Sequence, residues 1–143
     1  MSGFELVYYD RSTIPISRQR WGELQADPSY RVIEQTVILD AADPTVGFDV
    51  STVWLGINHN FLRSGSTPII FETMVFPAGG AEVERDGLNN TEEWNASELD
   101  SQRYCFENEA REGHALFVVE YSLKVTDAIV MDRAFFDQEG KSE

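Results

Sequence analysis

One cysteine, two lysines and two histidines are all that 143 residues supply of these three types. The lone Cys105 excludes an intrachain disulfide and a cysteine-based zinc cluster, both of which need several thiols. No apolar run approaches the roughly 20 residues of a membrane helix. Residues 1–5 carry neither the basic nor the apolar stretch of a secretion signal. An intracellular protein without a membrane span is therefore expected. Positive charge is also scarce: 11 basic residues stand against 25 acidic ones, a net charge of −14. Such a balance argues against direct contact with nucleic acid or an anionic membrane, which carry the same sign. It favours solubility and leaves room for a basic partner.

The usual signatures of chemistry are missing too. There is no nucleophile elbow, no phosphate loop, no dinucleotide fingerprint, and no pair of histidines four apart on a helix. No cofactor and no metal are expected from the pattern.

What remains is the composition of an ordinary core, 42% hydrophobic and 12% aromatic, enough for one domain over residues 1–143 with 137–143 as a flexible tail. Charge is unevenly spread. Between Glu82 and Glu112 ten acids face three bases, a net −7 that is half of the chain's total. A lobe of that kind either solvates a face or mimics a nucleic-acid backbone towards a protein that binds one.

Hydrophobic patterning predicts an α+β fold. Residues 5–9 read as a short strand. Ser17 reads as an N-cap, with Ile16 and Trp21 spaced as a hydrophobic staple, so a short helix is expected over 18–24, stopped by Asp27-Pro28. Strands are expected over 30–39, 48–57 and 68–76, the second of them apolar on both faces and therefore central. The last two should form a hairpin with a loop of about ten residues, long for a hairpin; symmetry about the loop puts Val53 near Glu72. Residues 81–85 alternate as an edge strand, 91–97 suit one helical turn, and 103–105 suit a last short strand. The best helix spans 107–123, with Ala110, His114, Phe117, Val118 and Tyr121 on one face and Gly113 inside it for close packing. Residues 125–136 fit strand or helix equally. The sum is an antiparallel sheet of four or five strands, one long helix across a face, and a short N-terminal helix beside it.

The run Val50-Ser51-Thr52-Val53-Trp54-Leu55-Gly56, then His59, then Pro68-Ile69-Ile70-Phe71-Glu72-Thr73-Met74-Val75-Phe76, resembles a family of small proteins encoded by bacteriophages and prophages. Tyr9-Asp10, Pro15-Ile16-Ser17 and Trp21 look like that family's opening, and Arg103-Tyr104 with Ala110, Gly113 and His114 like its closing signature. The likeness spans about residues 8–118. It implies a phage setting, with the host cytoplasm as the place of action, and it implies no particular reaction. Residues 78–102 are longer and more acidic than the family pattern, and the chain after Leu123 extends past its end.

Both histidines fall in these motifs. His59, Glu72 and His114 could converge as a catalytic acid/base set, since two histidines and a glutamate are a known functional grouping. The plainer reading, which the missing motif favours, makes His114 a hydrogen-bonded core residue, His59 a loop cap, and Glu72 the partner of an arginine. Cys105 reads as a small, partly buried side chain. Candidate binding residues are Asn58, His59, Asn60 and Arg63 in the long loop, and Glu82, Glu84, Glu92, Glu93 and Trp94 in the acidic lobe. The leading expectation is a phage accessory protein that acts by binding a host protein, basic or nucleic-acid-binding, or a small molecule. A small hydrolase built on the histidine and glutamate set and a structural protein of the virion are the alternatives.

Overall fold

The computed structural model describes residues 6–59, 67–78 and 98–133. It is α+β. Strands β1 (Tyr8–Tyr9) and β2 (Pro15–Ile16) form a two-stranded ribbon. Helices α1 (Arg18–Gln25) and α2 (Pro28–Arg31) follow, then β3 (Val32–Asp40), β4 (Gly47–Trp54), β5 (Phe71–Pro77), β6 (Asp100–Tyr104), α3 (Glu107–Ser122) and β7 (Ala128–Asp132). The five longer strands make one antiparallel sheet in the order β6-β5-β4-β3-β7, with α3 across one face.

The short elements start where their caps allow. The Ser17 hydroxyl accepts from the Arg20 backbone N–H and opens α1. Asp27 accepts from the Ser29 N–H at 3.0 Å. It thereby caps α2, whose Pro28 occupies the first helical position where no N–H is needed. Asp27-Pro28 thus ends one helix, as expected from sequence, and begins another, so the strand expected from residue 30 starts at Val32. The helix expected over 107–123 is α3. Its start is held by Glu109, whose carboxylate accepts from the N–H groups of Cys105 and Phe106. Residues 125–136, balanced between strand and helix, supply β7. The strand expected over 81–85 and the turn over 91–97 lie outside the described residues, as do Asn60, Arg63 and the tail from 137 to 143.

Strand alternation sorts the sheet into two faces. Ile38, Val50, Thr52, Trp54, Phe71, Thr73 and Val75 lie under α3, and all are fully buried. They pack in two groups. Trp54, Ile70, Phe71 and Tyr104 meet Leu24 of α1 and Ala110 of α3; Ile38, Val50 and Val75 meet Phe117 and Tyr121. A register shift between Val32 and Glu34 breaks the alternation in β3. This bulge turns Ile33 into the first group while Glu34 still points under α3. Gly113 lies flush on Tyr104: a Cβ there would overlap the phenol ring and hydroxyl, so the glycine sets how closely α3 approaches β6.

Candidate functional site

His114 stands in the middle of α3 and only 2% of its surface is exposed. The face it meets is polar. Nε2 lies 2.8 Å from Thr36 Oγ1 and Nδ1 lies 2.7 Å from Thr52 Oγ1. Thr52 Oγ1 in turn is 2.5 Å from Thr73 Oγ1, directly across the β4–β5 ladder. At the other end Thr36 Oγ1 donates to Asp132 Oδ1 at 2.8 Å. Beyond Thr73, the Tyr104 hydroxyl is buried and close enough to Thr73 for the two groups to interact, yet it is not placed for a formed hydrogen bond. Each strand of the sheet therefore contributes one polar group to a row beneath α3: Asp132 from β7, Thr36 from β3, Thr52 from β4, Thr73 from β5 and Tyr104 from β6. His114 joins the two halves.

The row has a direction. An ionised carboxylate only accepts, so Thr36 spends its proton on Asp132 and must accept from His114 Nε2–H. The neutral imidazole then has a bare Nδ1, which accepts from Thr52, and Thr52 accepts from Thr73. Asp132 thereby fixes the tautomer of a histidine that it does not touch. Burial is the largest influence on His114 and lowers its pKa; Glu34, whose Oε1 is 3.6 Å from Nε2, and Asp132 oppose it, and Arg111 adds to the lowering.

Charge gathers around Glu34. Its Oε2 accepts from Arg111 at 3.0 Å. Arg111 also binds Glu107 at the start of α3, and Glu107 takes a two-pronged bond from Arg11 at 3.0 and 2.7 Å. The Arg11 hydrogen bond is the main reason why the Glu107 carboxyl titrates below its ordinary range. The chain from Arg11 through Glu107 and Arg111 to Glu34 ties the β1–β2 turn, α3 and β3 together. Beside it, β7 pairs with β3 only from Thr36 to Asp40. Next to the first residues of β3 this leaves a cleft of about 490 Å³, bordered by Arg11, Arg111, Arg133, Glu34 and Asp132. The polar row ends at its wall, since Asp132 belongs to both.

The expected convergence of His59, Glu72 and His114 is not what the sheet builds. Glu72 pairs with Val53, as the symmetric hairpin predicts, but its neighbour Thr73 is the residue that faces α3. Strand alternation therefore puts Glu72 on the opposite face from His114. There Glu72 is 7% exposed and accepts from Arg103 Nε at 3.2 Å. His59 follows β4, with Nδ1 donating to the Ile57 carbonyl at 2.8 Å. These are the positions of the plainer reading: a bonded core histidine, a loop histidine and an ion-paired glutamate. Asn58 accepts from the Ile69 N–H and closes the base of the loop. Glu82, Glu84, Glu92, Glu93 and Trp94 lie outside the described residues. Burial and the nearby Glu109 raise the Cys105 thiol's pKa, the reverse of what a nucleophile needs. Among the described residues no three His, Cys, Asp or Glu side chains gather as a metal site, and no helix is long and apolar enough to cross a membrane.

The sequence reading missed Thr36, Thr52, Thr73, Glu34 and Asp132. Its available signal was a threonine at an inward position in each of three strands, flanked on that face by Val50 and Trp54 for Thr52, by Phe71 and Val75 for Thr73, and by Glu34 and Ile38 for Thr36. Comparison of the chain with models of protein families, with curated proteins and with solved structures finds no match.

The row has a consequence for pH. The folded His114 resists a proton that the unfolded chain accepts near the ordinary value of 6.5. Below that value the unfolded state binds more protons, so stability falls as pH drops towards the lower folded value and levels off beneath it. Urea unfolding between about pH 8 and pH 5, which spans the histidine range, should show this fall in the native sequence and a flatter profile in His114→Gln, with His59 common to both. Equal slopes would assign the fall to other groups.

Proposed function

We propose that the chain is a phage-encoded accessory protein that works by binding, and that the cleft beside the first residues of β3 takes a small charged molecule. The cleft is the observation that carries this reading. Its volume of about 490 Å³ lies within the roughly 300–1,000 Å³ of small-molecule sites. Its border is charged where most such sites are apolar, which points to a polar ligand. Arg11 and Arg111 are already committed to Glu107, Glu34 and the Tyr30 carbonyl. The Arg133 guanidinium, whose charge acts on Asp49, and the second oxygen of Asp132 have no side-chain hydrogen bond among the described residues. A cation and an anion thus border the same cleft, and a ligand with an acid group and an amine answers both. Engagement of a basic host protein through Glu82, Glu84, Glu92 and Glu93 is the other arm of the proposal and rests on the sequence.

The test is a thermal-shift titration of the full chain with three probes: an α-amino acid, a diamine and a dicarboxylate. A ligand that binds only the native state raises Tm with its concentration. The amino acid should do so where the other two do not, and the exposed change Arg133→Gln should remove the shift while leaving the ligand-free Tm in place. No shift with the amino acid, or an equal shift in Arg133→Gln, overturns the cleft assignment.

A further inference from the structure

Strand β7 closes one edge of the sheet, and all five of its residues are exposed. Three of them are large and apolar: Ile129, Val130 and Met131, each 45–47% exposed. None of the described residues pairs with the outer edge of β7. Natural proteins seldom leave such an edge open, because its unpaired N–H and C=O groups are a template for another strand. The usual guards, a lysine, a proline or a bulge within the strand, are absent from residues 128–132.

The edge fits a second copy of itself. The Arg133 N–H donates to the Gln35 carbonyl, and Ala41 donates to Thr126 and Asp127 carbonyls. By the alternation of an antiparallel ladder, Ile129 and Met131 then direct their backbone groups at β3. Ala128, Val130 and Asp132 direct theirs outwards. If two copies of β7 meet antiparallel about a two-fold axis at Val130, outward groups fall opposite outward groups along the whole strand. Val130 faces its twin, Ala128 faces Asp132, and Ile129 packs beside Met131. Asp127, in the left-handed region at φ = 51°, and Arg133 flank the strand, so the same register brings the Asp127 end of one copy to the Arg133 end of the other, twice over. No like charges meet within it. A register shifted along the strand loses part of the ladder and separates Asp127 from Arg133.

From this self-complementarity in backbone polarity, apolar pairing and charge we infer that the chain forms a symmetric dimer through β7, joining two five-stranded sheets into one of ten strands. Such a contact is isologous and closes on itself. A five-residue strand pair is small beside the roughly 1,200–2,000 Å² of a stable interface, so the dimer is reversible and depends on concentration. The second copy brings its Asp127 end up to the Arg133 end, at the border of the charged cleft.

Light scattering after size exclusion should give a mass that rises towards twice the chain mass as concentration increases. Val130→Lys places two cations on the axis and should hold the mass at that of one chain. Circular dichroism controls for folding, and the site is exposed, so the fold is expected to survive. Cysteine trapping reads the register independently of stability. A hydrogen-bonded antiparallel pair has Cα atoms about 5.5 Å apart, within the range that a disulfide spans. In a Cys105→Ser background, Val130→Cys should cross-link to itself under mild oxidation at least about tenfold faster than Ile129→Cys or Met131→Cys, a ratio that about 1.4 kcal/mol of geometric preference supplies. A single-chain mass at every concentration, or faster self-linking at 129 or 131 than at 130, overturns the inference.

Discussion

Replacing His114 with leucine should destabilise the fold by about 2–4 kcal/mol, although the new side chain is apolar and similar in size. The imidazole holds Thr36 on one side and Thr52 on the other, and all three are buried. Leucine fills the space and offers neither a donor nor an acceptor. Thr36 keeps Asp132 and Thr52 keeps Thr73, so neither hydroxyl is wholly abandoned. The expected loss is therefore two buried hydrogen bonds together with the penalty for two half-satisfied groups. The asymmetry between removing one partner and removing both gives a sharper test. Adding Thr52→Val to His114→Leu removes a hydroxyl that has already lost one of its two partners, Thr73 being the other, so the double change should cost less than the sum of the two single changes. Urea unfolding with an unchanged m-value would measure both steps. A loss below about 1 kcal/mol, or simple additivity of the two changes, would mean that the row contributes little to stability.

Gly56→Ala should be about as harmful, at roughly 2–5 kcal/mol, for an unrelated reason. Gly56 has φ = 77°, in the left-handed region that a Cβ penalises. The methyl group would also lie 2.6 Å from Trp21 Cδ1 and Nε1 and from Trp54 Cζ2. Neither indole can give way easily. Trp21 Nε1 donates to the Leu55 carbonyl, Trp54 Nε1 donates to the Tyr9 carbonyl, and Trp54 is fully buried. Backbone strain and overlap therefore add. Gly22 in α1 is the internal comparison. Nothing lies within 4 Å of a Cβ there and its backbone is helical, so Gly22→Ala should stabilise by about 0.5–1 kcal/mol through helix propensity. Thermal unfolding of the two variants side by side would separate the contributions. A Gly56→Ala protein as stable as the native one would show that the two tryptophans can repack.

Much of the scaffold was legible because it depends on local rules. Ser17 and its staple predicted α1, and the periodicity of Ala110, His114, Phe117 and Tyr121 predicted α3 and the face that it buries. The apolar run from Phe48 predicted a central strand, and β4 is the middle strand of the sheet. The hairpin's symmetry predicted the pairing of Val53 with Glu72. Helix α2 escaped notice because Asp27-Pro28 carries two signals at once, a stop for one helix and a start for the next. Strand β7 escaped because its pattern suits either element, and its choice depends on β3, a partner almost a hundred residues earlier in the chain.

The candidate site was far less legible. Histidines and glutamates attract attention in a sequence, whereas a threonine in a strand looks like ordinary β-former chemistry. Thr36, Thr52 and Thr73 matter only because pairing of β3, β4 and β5 aligns them under one turn of α3. The same alternation carried Glu72 to the far side of the sheet, one residue away from the row.

By itself, then, the sequence determined what local patterns encode: an acidic α+β chain, its main helices and strands, and the hairpin at its centre. Only the tertiary structure decided that β7 joins β3, that the polar row crosses all five strands through His114, and that Glu34, Asp132 and three arginines meet around a cleft. The physical reason is that helix caps and hydrophobic periods act over a few residues. A buried hydrogen-bond row is made by strands far apart in the chain, and its members gain their meaning only from the groups opposite them.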